Sequence, residues 1–162
     1  MTYGLIGERL SHSFSKTIHA MLGNAEYKLK SLQPSELDGF LKAGGFSGLN
    51  VTIPYKKAVI PYCKQLSKQA QRIGSVNTII NKNGELFGDN TDYGGFLYMA
   101  RRAGISFKGE KVLILGSGGT SLTAQTAAAD SGAAEVVVVS RSGKVSYDNI
   151  LDHSDTTVIV NT

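Results

Sequence analysis

Lys111-Val112-Leu113-Ile114-Leu115, followed at once by Gly116-Ser117-Gly118-Gly119 and an alanine-rich run from Thr120 to Asp130, decides how this chain folds. An apolar pentapeptide bounded by glycine reads as a buried strand. The glycines make a tight turn, and the alanine-rich run reads as a helix ending at Gly132. Glu135 then leads four consecutive valines to Val139, the pattern of a strand buried on both faces of a parallel sheet. Strand, glycine turn, helix and strand open a doubly wound nucleotide-binding domain. Gly116 permits the tight turn, and Gly118 lets a pyrophosphate approach the backbone. The helix N-terminus offers N–H groups and the positive end of its dipole. Ser121 stands where G-x-G-x-x-G has its third glycine, and is still small. A structural glycine turn is the competing reading.

Beyond the valine strand an NAD site would show an acidic residue for the ribose hydroxyl. Here stands Ser140-Arg141-Ser142-Gly143-Lys144. Two cations and two hydroxyls suit a 2′-phosphate, so NADP is the expected cofactor. The alternative is a solvated basic turn. Asp155 to Val160 starts another strand. Only the first βαβαβ half of a doubly wound domain is expected, so one side of the last strand should lack its neighbour.

Toward the N-terminus, Gly88-Asp89-Asn90-Thr91-Asp92-Tyr93-Gly94-Gly95 reads as a seam between two modules, with polar side chains aimed into a cleft. An Asn/Asp/Gly-rich turn ending in a helix N-cap is the simpler alternative. Thr91 to Ala103 is the connecting helix, with Gly104 past its end. The expected domains are therefore residues 1–103 and 104–162, the second an incomplete Rossmann-type domain. In the first module Tyr3 to Ile6, Tyr27 to Leu32 and Gly48 to Ile53 read as strands. Helices follow at Phe14 to Leu22, with Phe14, Ile18, Met21 and Leu22 on one face, and from Pro34 to Gly44. Tyr55 to Ser75 reads as mostly helical and amphipathic. Val76 to Ile80, Asn83-Gly84 and Glu85 to Phe87 form a hairpin with a tight turn. The fold class is α/β, a mixed but mostly parallel sheet followed by half a Rossmann domain.

Composition narrows the function. The chain has 162 residues, 41% hydrophobic and 19% charged, with a net charge of +4. The basic residues are scattered, which argues against nucleic acid and suits an acidic small molecule. The single cysteine, Cys63, points to a reducing compartment, so a cytoplasmic location is expected. No run is long enough for a membrane span and no signal peptide opens the chain. His12, His19 and His153 have no partners at ligand spacing, so no metal is assigned. A homodimer is compatible with the sequence, which does not fix the oligomeric state.

Ser13 and Ser15, at a helix start, either cap it or hold a ligand carboxylate. Asn50 and Thr52 point the same way along a strand and reach its carboxyl end, where open α/β sheets bind ligands. Lys56 sits just past that end, either solvated or catalytic. Tyr55 and Tyr93 flank these residues, with packing the simpler role.

Taken together, Ser13-Phe14-Ser15, Asn50 to Lys56, Gly74-Ser75-Val76-Asn77-Thr78, Asp89 to Gly95 and the Gly116 turn resemble shikimate dehydrogenase in order and spacing, over essentially the whole chain. The resemblance implies NADP-dependent reduction of 3-dehydroshikimate to shikimate, in aromatic amino-acid biosynthesis. It implies that Ser13 and Ser15 bind the substrate carboxylate and that Thr52, Asn77 and Asp92 hold ring hydroxyls. Lys56 and Asp92 would form the catalytic pair. Gly116, Ser117, Gly118, Gly119 and Thr120 would take the pyrophosphate, and Ser140, Arg141, Ser142 and Lys144 the adenosine phosphate. The chain departs from the pattern near Thr120 and Ser121, at Ser140, and at its end. Family members run on past the position of Thr162, completing the cofactor sheet, adding a glutamine to the substrate site and returning a helix to the first module. The resemblance therefore leaves two alternatives, a chain that holds shikimate without turnover and an enzyme that also accepts quinate.

Overall fold

Tyr3–Gly7 forms strand β1, Ser15–Met21 helix α1, Lys28–Ser31 strand β2, Pro34–Ala43 helix α2 and Gly48–Val51 strand β3. These come from a computed structural model that describes residues 2–24 and 26–162. β1 pairs in parallel with both β2 and β3, as the strand–helix alternation predicts. Pro34 opens α2, where Gln33 donates its N–H to Glu36 Oε2 at 2.7 Å, and Gly44 closes it at φ +62°. Leu37 and Leu41 of α2 then meet Ile6, Leu49 and Val51 in the core.

Gln65–Leu66 (β4), Lys68–Ile73 (α3), Thr78–Lys82 (β5) and Glu85–Asp89 (β6) complete the first sheet, in the order β2-β1-β3-β5-β6-β4. β5 and β6 are the expected hairpin. Its turn residues Asn83 and Gly84 both have positive φ, 55° and 87°, as a type I′ turn requires. The helix expected over Tyr55 to Ser75 is largely replaced. A turn leads into one 3-10 turn at Ile60–Tyr62, then β4, and only six residues are α-helical. Pro61 removes a helical donor. The open edge of β6 supplies other partners, Leu86 O for Lys64 N–H and Gly88 O for Ser67 N–H. α1 forms where the spacing predicts, with its apolar side chains exposed, Met21 by 83% and Phe14, at its N-cap, by 78%.

Asp92–Arg102 (α4), Lys111–Leu115 (β7), Gly119–Asp130 (α5), Glu135–Val139 (β8) and Val158–Asn161 (β9) follow. The second sheet has the order β8-β7-β9, all parallel. β9 therefore joins β7 on the side opposite β8, whereas the third strand of a βαβαβ half lies beyond its second. Among the described residues, the segment between β8 and β9 has one 3-10 turn, Ile150–His153, and no α-helix. β9 is an edge strand, with Ile159 exposed.

The chain separates into two compact units, Met1–Asn90 and Thr91–Thr162. A boundary after Ala103 is expected from the sequence. α4 instead belongs with the second unit, because Ala100 and Phe96 pack with Phe107, Val112 and Ala124, and the Phe96 and Phe107 rings stack at 5.7 Å. No helix among the described residues is long and apolar enough to cross a membrane.

Candidate functional site

In the first unit the polar residues of interest gather at the carboxyl edge of β1 and β3. Thr52 N–H donates to Ile6 O at 2.9 Å and Glu8 N–H to Ile53 O at 3.2 Å, so the chain leaving β1 runs beside the chain leaving β3. Gly7 makes this approach feasible. A Cβ there would stand 2.6 Å from Thr52 Cγ2 and 2.8 Å from Leu10 Cδ2. β5 is antiparallel to β3, so its first residues return to the same edge, and Val51 N–H donates to Asn77 O at 2.7 Å. Val76 N–H donates to Lys56 O at 2.8 Å, which ties the lysine's backbone next to Asn77. Thr52, Lys56 and Asn77 thus share one edge, with Thr52 and Lys56 half-buried and Asn77 8% exposed.

Ser13 lies between β1 and α1 and Ser15 is the first residue of α1, both half-buried. Ser13 Oγ accepts the Ser15 N–H at 3.2 Å, so this hydroxyl serves the helix start. Tyr55 is a packing residue. It is 2% exposed, its hydroxyl donates to Leu32 O at 2.5 Å, and burial pushes its pKa up. The sequence pattern did not disclose a hydrogen-bonded row behind Asn77. Tyr27 Oη donates to Asn50 Oδ1 at 2.7 Å, Asn50 Nδ2 to Thr78 Oγ1 at 3.4 Å, and Thr78 Oγ1 to Asn77 Oδ1 at 3.0 Å. The opposed register of Asn50 and Thr78 in β3 and β5 brings the middle pair together.

The second unit has its own polar edge. Gly116 follows β7 at φ +116°, and a Cβ there would meet Thr162 Oγ1 at 2.5 Å, so only glycine fits. Ser121, fully buried, donates from Oγ to Gly116 O at 2.7 Å and accepts from Gln125 Nε2 at 2.9 Å. The residue at the third glycine position therefore braces the turn. Gly118 precedes α5 in an extended conformation, with no side-chain hydrogen bond capping the helix. A Cβ on Gly118 would meet nothing within 4 Å. Ser117 and Thr120 are exposed and Gly119 half-buried beside that space. Open room over an uncapped helix start, reached by a glycine backbone, fits a pyrophosphate.

Ser140 to Lys144 turn back at the carboxyl end of β8, with Ser140 N–H donating to Val145 O and Gly143 N–H to Ser140 O. A Cβ on Gly143 would stand 2.6 Å from Ser140 Oγ, so a side chain there would turn that hydroxyl aside. Arg141, Ser142 and Lys144 are exposed and Ser140 half-buried. Gly116 N–H donates to Val139 O at 2.9 Å, so the cationic turn and the glycine turn are neighbours on one sheet edge. These residues fit a phosphorylated dinucleotide. Asp92, half-buried, is in the first turn of α4 and hence in the second unit. Tyr93 donates its hydroxyl to Asp130 Oδ2 at 2.9 Å within that unit. An apolar groove of about 400 Å³ between α4, α5 and β9, lined by Phe96, Met99, Ala124 and Val160 among others, has no ionisable side chain in its lining.

Comparison with known proteins places this arrangement. The profile of the shikimate dehydrogenase substrate binding domain matches residues 5–79. The shikimate dehydrogenase (NADP(+)) of Clostridium perfringens is 38% identical over 158 residues, covering 93% of this chain and 58% of the relative. The present chain thus spans little more than half the length of that relative. Among solved structures, shikimate dehydrogenase 1 from Peptoclostridium difficile superposes with a TM-score of 0.89 at 39% identity, over all of this chain and 66% of the other. The Thermus thermophilus enzyme in complex with shikimate gives 0.84 at 31% identity, over all of this chain and 69% of the other. The same enzyme in complex with NADP(H) and shikimate gives 0.79 at 32%, over all of this chain and 63% of the other. With the substrate-domain match and a fold shared over more than two thirds of a solved relative, this chain belongs to the shikimate dehydrogenase family.

Proposed function

We propose that this chain binds shikimate or 3-dehydroshikimate at the carboxyl edge of its first sheet and NADP at the Gly116 turn, and that it carries the residues for the reversible reduction of 3-dehydroshikimate. The observation that supports this most is the gathering of Thr52, Lys56 and Asn77 on one edge, where β1, β3 and the start of β5 end together. Ser13, on the loop leaving β1, and Ser15, at the start of α1, would receive the carboxylate, while Thr52, Asn77 and Asp92 would hold ring hydroxyls. In the second unit Gly116 to Thr120 would hold the pyrophosphate, and Ser140, Arg141, Ser142 and Lys144 the 2′-phosphate. NADPH, when bound, supplies the hydride.

The chain's own residues would handle charge and proton. A ketone that gains a hydride becomes an alkoxide, which needs a proton and a nearby positive charge. The Lys56 ammonium would supply both, and the Asp92 carboxylate would orient the substrate hydroxyl. In the oxidation direction the lysine takes the hydroxyl proton. Asn77 holds a neighbouring hydroxyl, so that the ring cannot rotate away from Lys56. The test combines calorimetric titration of shikimate with the absorbance of NADPH formed from shikimate and NADP+. Binding with turnover supports the whole proposal. Binding without turnover restricts it to the substrate unit, and absence of shikimate binding overturns it. Replacing shikimate by quinate in the same assay tests the broader substrate range.

A further inference from the structure

We propose that Tyr27 is a positioning residue, acting through Asn50 and Thr78 to fix which way round the Asn77 amide sits toward the substrate. The inference rests on the reading above that Asn77 meets a substrate hydroxyl. Tyr27 is 2% exposed, and its ring stacks on His19 with centroids 3.7 Å apart and planes 4° from parallel. It packs among Leu5, Leu10 and Leu29. Its hydroxyl has one hydrogen, and that hydrogen goes to Asn50 Oδ1. This assigns the two ends of the Asn50 amide, with Oδ1 toward Tyr27 and Nδ2 toward Thr78. Thr78 Oγ1 then accepts from Asn50, so its own hydrogen is directed to Asn77 Oδ1.

The donors all run in one direction, Tyr27 to Asn50 to Thr78 to Asn77. The carbonyl end of Asn77 is held toward Thr78, and the amide meets the substrate with its NH2 end, as a donor. An amide is nearly the same shape either way round, so packing alone does not choose between the two orientations; the hydrogen-bond row favours one of them. Linked bonds of this kind also strengthen one another in a buried setting. Removing the Tyr27 hydroxyl releases Asn50, and the contribution of the row to that preference is lost.

The test is calorimetric titration of shikimate into the 162-residue chain and its variants Tyr27→Phe and Thr78→Val, each also made together with Asn77→Ala. Tyr27→Phe keeps the ring and its stacking, and Thr78→Val breaks the row at a second place if the tyrosine variant folds poorly. Each is expected to weaken shikimate binding about fivefold, the effect of one lost hydrogen bond. In the Asn77→Ala background neither is expected to weaken it further. A merely structural Tyr27 would cost the same affinity in both backgrounds, and that result overturns the proposal. Unchanged affinity of Tyr27→Phe and Thr78→Val, with the parent chain binding shikimate, overturns it while leaving the functional reading intact. A parent chain that does not bind shikimate overturns both.

Discussion

Gly7 shows how one residue makes room for a site. A methyl group there would press against Thr52 and Leu10 side chains at 2.6 and 2.8 Å. Gly7→Ala is expected to destabilise the chain by about 1–3 kcal/mol through overpacking. It is also expected to displace Thr52, so thermal unfolding and shikimate titration should both register it. Lys56 carries the chemical proposal. Lys56→Ala should lower shikimate-dependent NADPH formation more than a hundredfold and change shikimate affinity by less than tenfold. Each tenfold in rate is about 1.4 kcal/mol of barrier, and a rate within tenfold of the parent would remove the lysine from the proton transfer. Tyr27 gives a pH signature. Burial pushes its pKa from 10.0 up to about 12. The folded state therefore keeps the proton longer than the unfolded chain, and the stability this confers is complete below pH 10 and lost as pH rises through 12. The thermal midpoint should fall over that window, and fall less in Tyr27→Phe.

Among the elements, α5 and the turn before it were the most legible. β7, the glycine turn, α5 and β8 fall where Lys111 to Val139 predict, because glycine, alanine and β-branched valine each strongly favour one local conformation. The Ser121 hydroxyl was not legible as a brace, because its acceptor, Gly116 O, is reached only once the helix has formed. Ser121→Ala leaves that carbonyl without its donor. NADP+ affinity should fall about fivefold, while shikimate titrates as in the parent chain. The segment from Tyr55 to Ser75 departs from its local pattern. Its apolar spacing suits a helix, but Pro61 and the free edge of β6 favour a short strand and a turn. The apolar stripe of α1 has the spacing of the helix it forms, but helical spacing does not say what covers it.

At the scale of the whole molecule, each unit has its own core. Ile6, Leu49, Val76 and Ile79 serve the first, and Val112, Ile114, Ala124 and Ala128 the second. Hydrogen exchange with each ligand alone should separate the substrate edge of the first unit from the glycine and cationic turns of the second. Shikimate is expected to slow exchange in peptides covering Ser13 to Met21 and Thr52 to Lys56, and NADP+ in those covering Gly116 to Thr120 and Ser140 to Lys144. Protection of the wrong set by either ligand would count against the assignment of sites. The sequence by itself determined the α/β class, the hairpin at Asn83-Gly84, the glycine turn and the motif residues, because local propensity and spacing are written directly in the chain. Only the tertiary structure decided that β9 lies beside β7 on the side away from β8, that α4 belongs with the second unit, and that Tyr27 reaches Asn77 through Asn50 and Thr78. Those features depend on pairings between residues far apart in sequence, where strand register and core packing choose among partners that local chemistry leaves equivalent.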